Sequence, residues 1–296
     1  MFFNLSARLK HFKLFDRNLL IFWSILTSLI IIFYGNLENA FFQFILHLML
    51  IGILLVSIPW LDRQKGKYWA FLRNWYLIMA LPLLYWDVGN FLHMVTPREF
   101  DPLLLTAEEN LFGILPNLWI QNKIIPVLTE IMQLSYSIYW ITIPLGAAIF
   151  YFDGRIDLFE YLMHYVTIAF FLSYLFFIFF PVAGPRFYLA DQLTAKYEGL
   201  FFTDYLRNFM KHSGYRGGAF PSSHVGVAVT ILTFIWHFRP RVAMTVFLPL
   251  VIALSLATVY GQYHYVVDVI AGLLMGLCIG IWGGRNTRMR LTQSLN

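Results

Sequence analysis

Long apolar runs separated by short polar stretches dominate the chain, and a bilayer span needs about 20 mostly apolar residues. Eight runs meet that need, near 18–35, 40–60, 70–88, 126–152, 158–181, 222–238, 241–260 and 264–283. Arg73 and Pro82 interrupt the third. The pattern predicts an all-α polytopic membrane protein with about eight transmembrane helices. Two polar islands stand out against it, "AFPSSHVGVA" from Ala219 and "YGQYHYVVD" from Tyr260.

The basic residues orient the spans, because loops rich in Lys and Arg stay cytoplasmic. Arg8, Lys10, Lys13 and Arg17 precede the first run, and Arg63, Lys65, Lys67 and Arg73 follow the second. Arg155 follows the fourth, Arg239 and Arg241 the sixth, and Arg285, Arg288 and Arg290 the last. In an eight-span arrangement all of them fall on one side. Both termini are then expected in the cytoplasm, and loops 89–125, 182–221 and 261–263 outside, so both polar islands face outward. The stretch 89–125 is long and partly amphipathic, suited to lie at the interface.

Composition agrees: 59% of the 296 residues are hydrophobic and 12% charged, with a mean hydropathy of +0.65. The formal charge of +5 sits in loop clusters rather than along one soluble face, so it reads as topology and not as a nucleic-acid surface. The basic start and first apolar run lack a small-residue cleavage site, which predicts a signal anchor. The single cysteine, Cys278, lies in an apolar run and offers neither a disulfide framework nor a thiolate cluster.

In the first island Pro221 suits the first turn of a helix and Ser222 or Ser223 can cap its free N–H groups. Such an N-terminus attracts phosphate, and His224 stands beside it. In the second island His264 and Asp268 are four apart, so on a helix they share a face, where a carboxylate orients one ring nitrogen and leaves the other for substrate. Ionisable groups in a span are costly and point to function. Arg186, after the fifth run, is a two-pronged partner for phosphate. Arg216 in "GYRGGAF" is a second candidate, and Lys211 and Arg98 are weaker ones. Asp87, Glu130 and Gln133 sit where the third and fourth runs meet the outer surface, and are candidates for an acceptor or head-group pocket or for helix-to-helix hydrogen bonds.

Two His, one Asp and one or two Arg on one face can move a phosphoryl group through a phosphohistidine. That scheme needs no metal and no cofactor. Zinc ligation by His224, His264 and Asp268 is the alternative, without an H-E-x-x-H type of spacing. A non-catalytic lipid-binding or transport protein is a third possibility, though neither broken half-repeats nor an internal repeat is evident.

At these residues the chain resembles the type 2 phosphatidic acid phosphatase (PAP2) superfamily. Its motif P-S-G-H is matched by Pro221-Ser222-Ser223-His224, with Ser for Gly. Its motif S-R-x5-H-x3-D is matched at His264 and Asp268, while Ala257-Thr258 stand at the Ser-Arg pair. The K-x6-R-P motif has no faithful copy; Arg186 follows the expected span with no Lys at the right distance. The resemblance implies His264 as nucleophile, His224 as general acid and membrane lipids as donor and acceptor. The segments "ENLFGILPNLW", "LTEIMQLSYSIYW", "GGAFPSSHVGVA" and "ATVYGQYHYVVDVIAG" look like the inositol phosphorylceramide synthase branch, which implies phosphorylated head-group transfer. A lipid or isoprenoid phosphate phosphatase is the alternative within the superfamily. The expected division is an N-terminal segment with two extra spans (1–67), a six-helix catalytic core (68–284) and a basic cytoplasmic tail (285–296). Short loops favour a bacterial inner membrane with the site toward the periplasm.

Overall fold

In the computed structural model, which describes residues 5–195 and 197–293, the regular elements are helices. The β-type pairing among the described residues is a pair of isolated bridges from Val182 to Gly217 and Gly218. In chain order the helices are α1 (Leu5–Leu9), α2 (Leu14–Ile32), α3 (Ala40–Asp62), α4 (Lys67–Gly89), α5 (Asp101–Phe112), α6 (Pro116–Ile120), α7 (Pro126–Ser137) and α8 (Tyr139–Phe152). Then come α9 (Ile156–Phe179), α10 (Pro185–Tyr188), α11 (Phe202–Ser213), α12 (Ser223–Phe238), α13 (Pro240–Val242), α14 (Leu248–Tyr260) and α15 (Val266–Gln293).

Five of the described stretches are long and apolar enough to cross a membrane: α2, α3, α9, the combined Pro240–Tyr260 and α15. The pair α7 and α8 makes a sixth if counted as one span, bent by 42° at Ile138. The two remaining runs of the eight-span expectation fall short for physical reasons. Helix α4 carries Lys67, Arg73 and Asp87, and α12 has 16 residues, about 24 Å at 1.5 Å per residue against a core of about 30 Å. Helix α15 is longer than its apolar run and continues through Arg285, Arg288 and Arg290.

Although short, α12 is the centre of the bundle. It is apolar all round, as a helix wrapped by others must be, and packs on α8, α9, α14 and α15. Its closest neighbour is α15, because Gly272, Gly276, Gly280 and Gly284 recur every four residues along one stripe. A Cβ on these would strike the Ser222 carbonyl, the Gly226 carbonyl, Thr233 and the His237 ring. Small residues at such a spacing let helix backbones touch in a medium where no hydrophobic effect drives helices together. The stripe therefore brings the start of α12 against the start of α15, where Ser222 N–H donates to the Asp268 carbonyl at 3.0 Å.

At the opposite end of the bundle α2 is tied to α9. Asn18 Nδ2 donates to the His164 carbonyl (2.9 Å) and Thr167 Oγ1 (2.7 Å). Asp16, fully buried, accepts from Lys13 N–H, Tyr76 O–H and both terminal nitrogens of Arg73. Large apolar side chains remain on the outside of α2 and α3, among them Ile31, Ile32, Phe41 and Ile53. A contiguous apolar exterior of this kind is what a lipid-facing surface requires.

Candidate active site

Three loops and two helix starts converge at one end of α12. The first loop follows α9. Its Val182 N–H donates to the Gly217 carbonyl (3.2 Å), and Ala219 N–H returns to the Val182 carbonyl (3.0 Å). Gly184 sits at φ +85°, where a Cβ would crowd Ala219 and the Tyr263 carbonyl, so the chain turns there and begins α10 with Pro185 and Arg186. The second loop precedes α12, and Ser222 caps that helix by accepting from Val225 N–H at 3.5 Å. The third joins α14 to α15. The Thr258 carbonyl receives the N–H groups of Tyr263 (2.9 Å) and His264 (3.1 Å). The residue that stands where the superfamily motif has Arg thus shapes the loop through its backbone.

Two carboxylates on α5 hold these loops. Asp101 accepts from Ala183 N–H (2.8 Å), Gly184 N–H (2.9 Å) and Tyr265 O–H (2.9 Å). Glu108, seven residues on, accepts from Val266 N–H (2.6 Å) and Val267 N–H (3.3 Å) at the start of α15. Anions belong at helix N-termini because the free N–H groups and the dipole favour them. Both side chains are fully buried. Burial raises the Asp101 carboxyl above its usual range against its own hydrogen bonds. Burial likewise pushes Glu108 up to about 7, opposed by the two N–H donors and reinforced by the charge of Asp268.

The loops bring His224 and His264 edge to face, ring centres 5.8 Å apart and planes at 62°. Asp268 Oδ2 lies 3.5 Å from His264 Nδ1 and accepts Tyr265 N–H at 2.8 Å. His264 and Asp268 are buried, whereas His224 is half-buried. Tyr136 O–H lies 3.1 Å from His224 Nε2, and the Tyr139 ring is 4.5 Å from the imidazole. The bend at Ile138 separates these two tyrosines, so both sides of the broken helix reach His224. Arg186 lies with its guanidinium 5.7 Å from the Tyr263 ring centre, a cation–π arrangement, and its N–H donates to the Gln262 carbonyl at 3.1 Å.

Two cavities meet at Arg186. One, about 290 Å³, holds Ser223, His224 and His264 among Tyr85, Tyr136, Tyr139 and Tyr174, and its wall reaches the exposed Trp86 and Trp140 on the side of the bundle. The other, about 510 Å³, is lined by Gln133, Tyr197, Thr203 and Gln262. Arg186, Phe187, Gly214 and Tyr263 belong to both.

Of the residues singled out in the sequence, His224, His264, Asp268, Arg186, Ser222 and Ser223 come together. Gln133 lines the adjoining cavity, where it accepts Tyr263 O–H at 2.8 Å, and the others lie elsewhere. Arg216 forms a two-pronged pair with Glu99 (2.6 and 2.8 Å), which holds that carboxyl below its usual range, and the pair lies outside both cavity linings. Asp87 is 3.3 Å from His47 and ties α4 to α3. Glu130 gathers the N–H groups of residues 200–203 at the start of α11. Arg98 is exposed, and the Lys211 side chain is outside the described residues. Among the described residues no three His, Cys, Asp or Glu side chains group as metal ligands. Asp101, Glu108, Tyr136 and Gln262 were not singled out. The one visible signal was for the acids, which lie seven apart on the amphipathic segment 89–125.

Residues 104–282 match the family model described as the PAP2 superfamily. A PA-phosphatase related-family protein from Dictyostelium discoideum is 27% identical over 109 residues, which cover 36% of this chain and 20% of that relative. The chain therefore spans a fifth of the curated relative it matches. No solved structure matches. The facing histidines lie within the matched region, and the chain belongs to the PAP2 superfamily.

Proposed function

We propose that the protein is a membrane lipid phosphoester enzyme that works through a phosphohistidine, and that it transfers a phosphorylated head group between lipids. The observation that carries this reading is the pair His224 and His264, 5.8 Å apart across one cavity with Arg186 on its wall. A ring nitrogen of His264, the one turned away from Asp268, forms a bond to phosphorus as the bond from phosphorus to the lipid oxygen breaks, and that oxygen takes a proton from His224. Asp268 orients His264 and offsets its developing positive charge. Arg186 and the N–H groups at the start of α12 bear the phosphate charge. In the second half an alcohol or water attacks phosphorus, gives its proton to His224 and frees His264. Tyr136 holds His224 for both transfers.

The second cavity beside Arg186 favours transfer over plain hydrolysis, because a head group or acceptor has room there without leaving the phosphate site. The exposed tryptophans at the first cavity give an acyl chain a path from the bilayer. The basic loops support eight crossings with α4 and α12 included, and a site on the outer face, periplasmic in a bacterial inner membrane.

The test uses purified protein in detergent, wild type beside His264→Ala and His224→Ala, with labelled phospholipids, with and without a ceramide or diacylglycerol acceptor. A new phosphorylated lipid that forms only with acceptor and disappears in both variants is expected. Phosphate or phosphorylated head group released without acceptor would make it a hydrolase. Equal turnover in all three proteins would sink the catalytic reading.

A further inference from the structure

One short segment keeps its apolar side chains outside although its backbone is firmly held. Leu200, Phe201 and Tyr205, around the start of α11, are 65%, 85% and 67% exposed, and Phe201 is the most exposed large apolar residue among those described. A single exposed apolar side chain is ordinary. A cluster of them on a pinned backbone is not. Glu130 on α7 accepts the N–H groups of Leu200 (2.9 Å), Phe201 (3.1 Å), Phe202 and Thr203 (3.2 Å), and the Thr203 O–H as well (2.7 Å). Gly199 lets the chain come this close, since a Cβ there would strike Thr203 and the Glu130 carboxylate. Thr203 and Leu206, three apart on α11, form its buried side. The opposite side of that turn carries Asp204, Tyr205 and Asn208, all exposed, a polar and aromatic mixture suited to lipid head groups.

The position of Glu130 decides what these side chains meet. On α7 Val127, Ile131 and Leu134 recur at i, i+4 and i+7 and are exposed, an apolar stripe of the kind that faces lipid. Glu130 belongs to the same stripe, three residues from Val127 and four from Leu134. Residues 200–203 therefore lie over the lipid-facing side of α7 and continue its apolar surface. The pairing serves both partners, because a carboxylate on such a stripe is costly unless its oxygens are satisfied. Glu130 also stands one turn along α7 from Pro126, about 6 Å at 1.5 Å per residue. A segment held at that level sits where head groups meet acyl chains, the depth of interfacial helices.

We infer that residues 200–205 are a membrane-surface anchor: Leu200 and Phe201 enter the leaflet on the histidine side of the bundle, Tyr205 lies among its head groups, and Glu130 fixes their depth. The partner is the lipid of the surrounding bilayer. Thr203 also lines the larger cavity, so the anchor holds that cavity's wall at the membrane surface. The inference concerns attachment to lipid and stands apart from the phosphoester reading.

The test places one fluorophore at a time on the full-length protein in phosphatidylcholine nanodiscs, with Cys278→Ser removing the native thiol. Phe201→Cys carries the probe, and Leu200→Cys repeats the reading should the first variant fold poorly. Ile53→Cys, on the exposed side of α3, is the lipid reference, and Lys65→Cys, in the loop before α4, is the water reference. Doxyl groups attached near the lipid glycerol should quench the probe at 201 several-fold more strongly than at 65, and iodide several-fold less. Doxyl groups deep in the acyl chain should favour 53 over 201. Glu130→Ala should bring the probe at 201 toward the water reference and leave that at 53 unchanged. Iodide quenching at 201 equal to that at 65 overturns the inference by putting the segment in water. Protection from both quenchers overturns it as well, because protein, a second copy included, would then cover the segment. Lipid quenching at 201 that survives Glu130→Ala unaltered would overturn the role of Glu130 in setting the depth.

Discussion

Two buried polar clusters sit at opposite ends of the bundle, and they differ in how far their atoms are satisfied. At one end Asp16 accepts from Lys13, Tyr76 and Arg73, so its oxygens are saturated by the protein, while Arg73 Nε has no hydrogen-bond partner among the described residues. At the other end His224 Nδ1, Asp268 Oδ1 and Gln262 Oε1 are buried without a hydrogen-bond partner among the described residues, and His264 Nδ1 has Asp268 Oδ2 at 3.5 Å. Buried polar groups are normally paired. A carboxylate saturated by protein donors is a fastening between helices, and unpaired polar atoms around a cavity are prepared for something not made of protein.

Breaking each cluster should therefore have opposite signatures. Asp16→Ala takes the buried partner from Arg73 and leaves it the His11 carbonyl at 3.0 Å and the half-exposed Asp62 at 3.7 Å, and breaking a buried pair costs about 3–5 kcal/mol. A thermal melt in detergent should show a large drop, with the remaining folded protein keeping its kcat. At the histidine end Tyr136→Phe removes only the hydroxyl beside His224. The melt should barely move, while turnover falls by about tenfold and the acid or base limb of the pH–rate profile shifts, since His224 loses the partner of its Nε2. A loss of turnover without a change in the pH profile would reduce Tyr136 to packing.

The smallest effect sharpens the role of α5. The folded protein holds the Glu108 proton up to about pH 7, whereas the unfolded chain releases it near 4.5. The folded state thus binds the extra proton in that window, and stability should decline as pH rises from about 4.5 to about 7. Glu108→Gln keeps an oxygen for Val266 N–H and removes the ionisation, so melts across that window should lose this part of the slope. An unaltered slope would mean that Glu108 does not titrate there.

The histidines and Asp268 were legible because motif spacing and charge bias both put them at one surface, and the helix starts at Ser223 and Val266 lie within two residues of the apolar runs beginning at 222 and 264. Arg216, Asp87 and Glu130 show the limit of such reading. Each is polar and near the end of an apolar run, but Glu99, His47 and the backbone of residues 200–203 claim them, and sequence position does not announce a partner 40 to 117 residues away. The bend at Ile138 was hidden because "LSYSIYWITIP" is one apolar run, in which Pro144 lies inside α8 without breaking it. Gln262 looked like one more polar loop residue; its φ of +61° and the amide committed to Asn117 and Tyr197 exist only in three dimensions.

The central claim is that His264 forms a bond to phosphorus. The most direct measurement is a rapid quench of the enzyme with phosphorus-labelled lipid, followed by denaturation at alkaline pH, peptide mapping and a test of acid lability. Acid-labile label on the peptide that contains His264, absent in His264→Ala and accumulating in His224→Ala if proton transfer limits its breakdown, is the predicted result. A wild-type enzyme that turns over lipid without labelling that peptide, or label that persists in His264→Ala, would contradict it.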